Sequence, residues 1–384
     1  MYIHNSPKPK KYLHRLTFGL LMILLFTACQ NRAKETKVLL EPNTEESLFI
    51  GTPKRIIKLE MTPESALGNI SKVQTDFNND RIFVLSDFNI YIFNSVGKFI
   101  TKLSKGRGPE EISMVMACSL NNNNQLLYIL DNTNRICVID YNGRFVQQVH
   151  LKNFLGTDIQ AIDTERVLLQ NFRISEKVPW YIVKYNLANN AIEQEFIPMS
   201  ESRYPEYFMI TQNSFQFSSV HKTFSASNIF NLYEYKGNGF KKVIEYDLGR
   251  RSVSNSFLET MKDKQKSQFG EYASESGYVP YLLTSFCFRN YIVAILEDDE
   301  RNCYVIERNS EKVYANGRLS AYLGLPDITS FSFPKEVNED YFVFAANPTD
   351  FFEEGAKDET TIVELGDCVI EIQFGENPFL VVTE

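Results

Sequence analysis

Three observations in this 384-residue sequence predict an all-β chain of six four-stranded antiparallel sheets arranged in a ring. Runs of β-branched and aromatic residues alternate with short polar turns over most of its length. A turn residue able to take positive φ returns in near-constant phase, at Gly97, Gly143, Asn190 and Gly239, spacings of 46, 47 and 49. No amphipathic helices alternate with the strands, which excludes an α/β arrangement.

The N-terminus is read apart from the fold. Lys8, Lys10, Lys11 and Arg15 precede or open a run, Leu16 to Phe26, of 11 weakly polar to apolar residues. That is a basic region followed by an apolar one too short to span a bilayer. It ends in Phe26-Thr27-Ala28-Cys29, which resembles the lipobox of bacterial lipoproteins, with Phe26 where Leu is commoner. The expectation is a signal peptide over 1–28, a lipidated Cys29 and a polar tether over 29–48. Gln30-Asn31-Arg32-Ala33-Lys34 lack the acidic residues that follow the cysteine in surface-exported relatives. The expected location is therefore the cell envelope, an outer-membrane anchor facing the periplasm, with the cell surface as the alternative.

The folded body spans 49–384. Residues 81–103 and 126–149 superimpose strand for strand with one inserted residue. Each holds an apolar run, a polar turn, a second run, a turn ending in Gly, and a third strand opening Lys/Arg-Phe. Each is preceded by a further strand-like segment, 70–76 or 114–120, making four strands per repeat of about 45 residues. Such a unit cannot bury both faces alone and must stack on its neighbours, as propeller blades do. Later copies are irregular: a fifth pairs 288–296 with 302–307, and a sixth starts at 329–335 and continues through 341–346, with 377–382 as its third strand. The early segment 55–60 has no partner in its own repeat and is expected to become the outer strand of the last blade. Closure of that kind removes a sheet edge.

Ile56-Ile57-Lys58-Leu59-Glu60, Gly68-Asn69-Ile70-Ser71-Lys72, Gly97-Lys98-Phe99, Gly106-Arg107-Gly108-Pro109-Glu110-Glu111, Leu130-Asp131, Gly143-Arg144-Phe145 and Asn377-Pro378 together resemble the six-bladed β-propeller lipoproteins of Bacteroidota, a group similar in appearance to NHL repeats. The group has a third glycine where Glu110 stands. The resemblance covers residues 48–384, is strongest before 150, and implies a fold and an envelope location but no settled activity.

Composition narrows the function. Removing residues 1–28 takes four of the 40 Lys and Arg and none of the 48 Asp and Glu, leaving a net charge of −12. A surface so acidic repels phosphate backbones, so nucleic acid is not an expected partner. The cysteines after Cys29 are Cys118, Cys137, Cys287, Cys303 and Cys368, with no C-x-x-C pair; Cys137 and Cys368 lie in β-rich apolar runs and read as small buried hydrophobes. Only His150 and His221 remain in the body, in different repeats, so neither a His-rich metal centre nor a local His triad is indicated.

In an up-and-down blade with strands a to d, the b–c turns and the d–a connections share one end of the ring. That end collects the loop Ser104-Lys105-Gly106-Arg107-Gly108-Pro109-Glu110-Glu111, the turns at Asp87 and at Asp131 to Arg135, the acidic run Glu297 to Glu300, and an insertion over 249–280. Within the insertion Ser256 and Glu259 have capping-box spacing, so a short helix is expected; the segment either covers the site as a lid or pads a blade junction. The loop lacks the Lys-Ser/Thr of a phosphate cradle, and its Gly and Pro read as a hard turn that leaves Arg107 as the informative residue. Arg107, Glu110, Asp87, Asp131 and Arg135 are the ligand-binding candidates on this reading, for an unidentified protein or small-molecule ligand, with no catalytic constellation and no cofactor. The alternative is a calcium-dependent hydrolase or lyase of the lactonase-like propeller type, with Asp87 and Asp131 near an axial ion. Against it stands the use of Asp to end a strand and bond its own turn backbone.

Overall fold

The computed structural model describes residues 36–41, 48–103, 105, 106, 108, 110–152, 154–171, 179–204, 213–298, 302–315, 317–353 and 359–384. Blade one consists of Ile70–Asp76, Arg81–Ser86, Asn89–Phe93 and Phe99–Lys102, paired antiparallel in chain order as strands a to d. Blade two repeats it with Val115–Asn121, Leu126–Asp131, Arg135–Asp140 and Phe145–His150. Blade three has Gly156–Ala161, Arg166–Asn171, Trp180–Asn186 and Ala191–Pro198, and blade four Phe215–Phe217, Lys222–Ala226, Ile229–Tyr235 and Phe240–Asp247. Blade five comprises Tyr281–Phe288, Tyr291–Glu297, Cys303–Glu307 and Val313–Ala315.

The sixth blade is assembled from both ends of the chain. Its strands a to c are Glu336–Val337, Phe342–Ala346 and Phe379–Thr383, and its outer strand is Pro53–Lys58, with Ile56 opposite Val381 and Lys58 opposite Phe379. Thr52 and Glu384 exchange backbone hydrogen bonds of 2.9 and 3.0 Å beyond the last pair. Between strands b and c the blade carries an extra hairpin, Thr360–Leu365 with Cys368–Gln373.

Six apolar clusters hold the ring, one at each junction of neighbouring blades. Phe83 and Leu85 of blade one meet Ile129 and Cys137 of blade two, and Leu380 and Val382 of blade six meet Val73 and Ile82 of blade one. The remaining four junctions are built alike. Each fully buried aliphatic or aromatic side chain contributes about 1.5–3 kcal/mol, and neither face of a blade could bury such residues without its neighbour.

The hairpin phase holds for three of the four expected positions. Gly97 has φ 86°, Gly143 φ 81° and Asn190 φ 51°, but in blade four the left-handed residue is Gly237 at φ 79°, not Gly239. The bond from Lys236 N to Gly239 O matches those from Asn94 N to Lys98 O and from Asp140 N to Arg144 O, so Gly239 stands where Lys and Arg stand elsewhere. Gly97 also admits no side chain for lack of room, since a Cβ there would lie 1.9 Å from Lys58 O of the closing strand.

Three other expectations are corrected. The inner strand of blade six is not 329–335: Thr329–Phe331 is a 3-10 turn and the strand begins after Pro334, which has no N–H to give a ladder. The described part of the expected tether is docked: Thr36–Leu39 adds a fifth strand outside Phe240–Asp247, because Val38 and Leu40 alternate inward and are buried. Cys29 and residues 30–35 lie outside the described residues. The insertion forms helices α1 (Asn255–Met261) and α2 (Phe269–Glu275), and α1 is capped by Ser254, whose hydroxyl accepts from Phe257 N, rather than by Ser256. Met261, Phe269 and Val279 enter the cluster between blades four and five, so the segment fills that junction.

Candidate functional site

At the end of the ring formed by d–a connections and b–c turns, the charged side chains are largely used by the fold. Asp131 is buried and accepts from Thr133 Oγ1 at 2.6 Å, Thr133 N at 3.0 Å, Arg135 N at 3.1 Å, Arg135 Nε at 3.0 Å and Arg135 Nη2 at 2.7 Å. Burial pushes its carboxyl up, but the hydrogen bonds from Thr133 and Arg135, with the guanidinium charge, outweigh that and hold it below the ordinary range. Arg135 Nη2 also donates to Glu111 O at 3.1 Å, tying this turn to the glycine loop.

In that loop Glu111 folds back so that its Oε2 accepts from Gly108 N at 2.8 Å. A Cβ on Gly106 would meet the same oxygen at 1.8 Å, so a side chain there would displace the Glu111 carboxylate from Gly108 N; the backbone at Gly106 is not left-handed. Arg107 lies outside the described residues, and Glu110 is exposed. Asp87 and Phe88 form a left-handed two-residue turn, φ 45° and 63°, which Asp87 Oδ1 ties to Asn69 N at 3.2 Å. Asp298 of the acidic run accepts from Arg251 Nη1 at 3.3 Å and Asn302 N at 2.9 Å; residues 299 and 300 lie outside the described residues. The structure thus joins Asp131, Arg135 and the Glu111 backbone into one cluster, while Asp87 serves a separate turn.

The opposite end is organised differently. The a–b turns of blades one, two, three, four and six converge on the axis around a bowl of about 690 Å³. Its floor and walls include Gln74, Gln160 and Gln216, the aromatic residues Phe77, Phe217, Tyr235 and Tyr341, and the turn residues Asn78, Asn122 and Asn123. Some of these are held firmly. Gln74 Oε1 accepts from Leu120 N at 2.8 Å, Phe217 stacks on Tyr235 at 6.1 Å, and the Phe77 and Tyr341 centroids are 5.5 Å apart. Asn78, Asn122 and Asn123 are exposed, and among the described residues their side chains have no partner.

The bowl is acidic: Asp76, Glu336, Glu339 and Asp340 line it against Lys222. Asp76 accepts from Tyr141 Oη at 2.6 Å and Asn79 Nδ2 at 2.8 Å, and Glu339 from Val220 N at 2.9 Å. Glu336 accepts from Thr75 Oγ1 at 2.6 Å and Thr75 N at 3.0 Å, and Thr75 Oγ1 is 2.7 Å from Tyr341 Oη. Burial pushes the Glu336 carboxyl up to about 7 against those hydrogen bonds. Neither histidine lines the bowl: His150 is exposed on the outer strand of blade two, and His221 Nδ1 lies 3.5 Å from Glu234 Oε1. Among the described residues no group of three or more His, Cys, Asp or Glu side chains could hold a metal ion. What the bowl offers chemically is a dense set of hydrogen-bonding groups and negative charge between aromatic walls.

A family model described as a domain of unknown function, DUF4934, matches residues 48–384. The chain belongs to that family. Among solved structures this DUF4934 chain is similar to a protein of Bacteroides fragilis, provisionally named as exported, with a TM-score of 0.68 at 12% identity, covering 91% of this chain and 99% of that one. It is also similar to U3-55K (TM-score 0.46, 9% identity, 86% and 100% covered) and to the Cps50 (Swd1) β-propeller domain of Myceliophteria thermophila (TM-score 0.35, 10% identity, 64% and 86% covered). No curated protein matches by sequence.

The bowl of the DUF4934 chain was missed in the sequence because its residues come from five short turns with no shared motif. One signal was available: the run Asn121-Asn122-Asn123-Asn124 is more polar than a two-residue strand reversal needs.

Proposed function

We propose that this chain is a non-catalytic, lipid-anchored propeller of the cell envelope that binds a small ligand without net negative charge in the bowl at the a–b end. The observation that carries the reading is the set of amide side chains left unpartnered beside a surplus of carboxylates. Polar groups arranged in a concavity and unused by the fold are the usual mark of a binding site. Carboxylates that repel anions leave hydroxyl-rich neutral molecules and cations as the favoured class. The N-terminal basic and apolar segment ending at Cys29 supports the anchor.

The test is a thermal-shift screen of the full chain against compounds sorted by charge, repeated on an Asn122→Ala/Asn123→Ala variant. Neutral or cationic compounds should raise the melting temperature of the parent chain and lose that effect in the variant. A screen in which no stabilising compound depends on these two residues would overturn the reading. The anchor is tested separately: Cys29→Ala should move the protein from the membrane to the soluble fraction, and unchanged membrane association would refute it.

A further inference from the structure

The other mouth of the axis holds a second cavity, about 220 Å³, lined by Asn69, Ser71, Asn213, Thr284 and Lys335 among others, and Gln216 lines both it and the bowl. Lys335 immediately precedes the innermost strand of blade six. Its backbone is pinned at the seam of the ring: its N–H donates to Val343 O at 2.7 Å and its carbonyl accepts from Val73 N at 3.2 Å. The ammonium itself has no ion-pair partner among the described residues, and burial alone lowers its pKa.

Lys72, which lines a smaller neighbouring cavity with Ser71 and Asn213, shows how the fold treats a cation it needs for structure. It sits 3.6 Å from Asp158, and that carboxylate also accepts from Phe215 N at 3.2 Å. Around Lys335 the polar account is left open in a second place. Asn213 Nδ2 donates to Ser71 O at 3.3 Å, while Asn213 Oδ1 is buried with no partner. Lys335 and Asn213 thus line one cavity with an unpaired, partly desolvated ammonium and a buried acceptor that has no partner, and each costs stability. A chain with 48 carboxylates could have paired that lysine.

We propose that Lys335 and Asn213 bind a small oxyanion that also carries a hydroxyl, a hydroxycarboxylate or a hydrogen phosphate, in this cavity at the d–a end of the ring. The ammonium donates to the anionic oxygens, and Asn213 Oδ1 accepts from the ligand hydroxyl. Neither Lys335 nor Asn213 lines the bowl, and the proposal does not rest on the reading given for it.

Isothermal titration of the full chain with lactate and with inorganic phosphate tests the proposal, alongside Lys335→Met and Asn213→Ala. Saturable binding of at least one probe is expected, and which one binds assigns carboxylate or phosphate. Lys335→Met should weaken it at least tenfold while leaving the melting temperature equal or higher, because it removes a desolvated charge and keeps the chain length. Asn213→Ala should weaken binding with the fold intact, and Asn122→Ala/Asn123→Ala should leave it unchanged. Absence of saturable heat with both probes, binding that survives Lys335→Met, or a Lys335→Met chain that melts lower or does not fold would overturn the proposal, the last by making the lysine structural.

Discussion

The two ends of the ring use the same kinds of residue for opposite purposes. Where d–a connections meet b–c turns, most charges of the described turn residues are closed on themselves: Asp131 on Arg135, Glu111 on Gly108, Asp298 on Arg251. Where the a–b turns converge, Asn78, Asn122 and Asn123 are left exposed around a bowl. The difference teaches that a conspicuous motif can mark a difficult turn, whereas a site can arise from plain turns brought together by the ring.

The largest expected effect breaks the closed end. Arg135→Ala would leave the Asp131 carboxylate buried and unpaired, which costs about 3–5 kcal/mol; urea denaturation should show the midpoint fall accordingly. A loss below about 1 kcal/mol would mean that the cluster is not structural and would reopen Arg135 as a ligand residue.

At the open end the next effect depends on pH. The Glu336 carboxyl titrates near 7 in the folded chain, above its ordinary value of 4.5, so between these limits the native state binds more protons than the unfolded one. Its contribution to stability is therefore greatest below the lower limit and declines as pH rises towards 7. Glu336→Gln should flatten that decline and melt higher than the parent at pH 8; parallel melting curves for the two chains from pH 5 to 8 would refute the assignment. The smallest effect on stability is expected from Asn122→Ala/Asn123→Ala, within about 0.5 kcal/mol, which lets its loss of ligand be read as binding alone.

Much of the fold was legible because its signals are local. A strand reversal that demands positive φ selects Gly or Asn at Gly97, Gly143 and Asn190, and the unpaired apolar segment at Ile56 and Ile57 needed a sheet edge, which Val381 and Leu380 supply. The misplaced glycine of blade four followed from two glycines in one turn, and the docked strand at Val38 from polar neighbours that hid a two-residue alternation.

The candidate site was less legible. Asp131 and Arg135, singled out for charge, satisfy each other four residues apart. Lys335 and Glu336 stood in the sequence without any mark. By itself the sequence determined the four-stranded repeat, its phase in the first three blades and the closing strand, since pleat period and turn conformation act over a few residues. Only the tertiary structure decided which polar groups are spent and which remain, because their partners lie far apart in the chain: Glu336 meets Thr75 across 261 residues, and Asn213 meets Ser71 across 142.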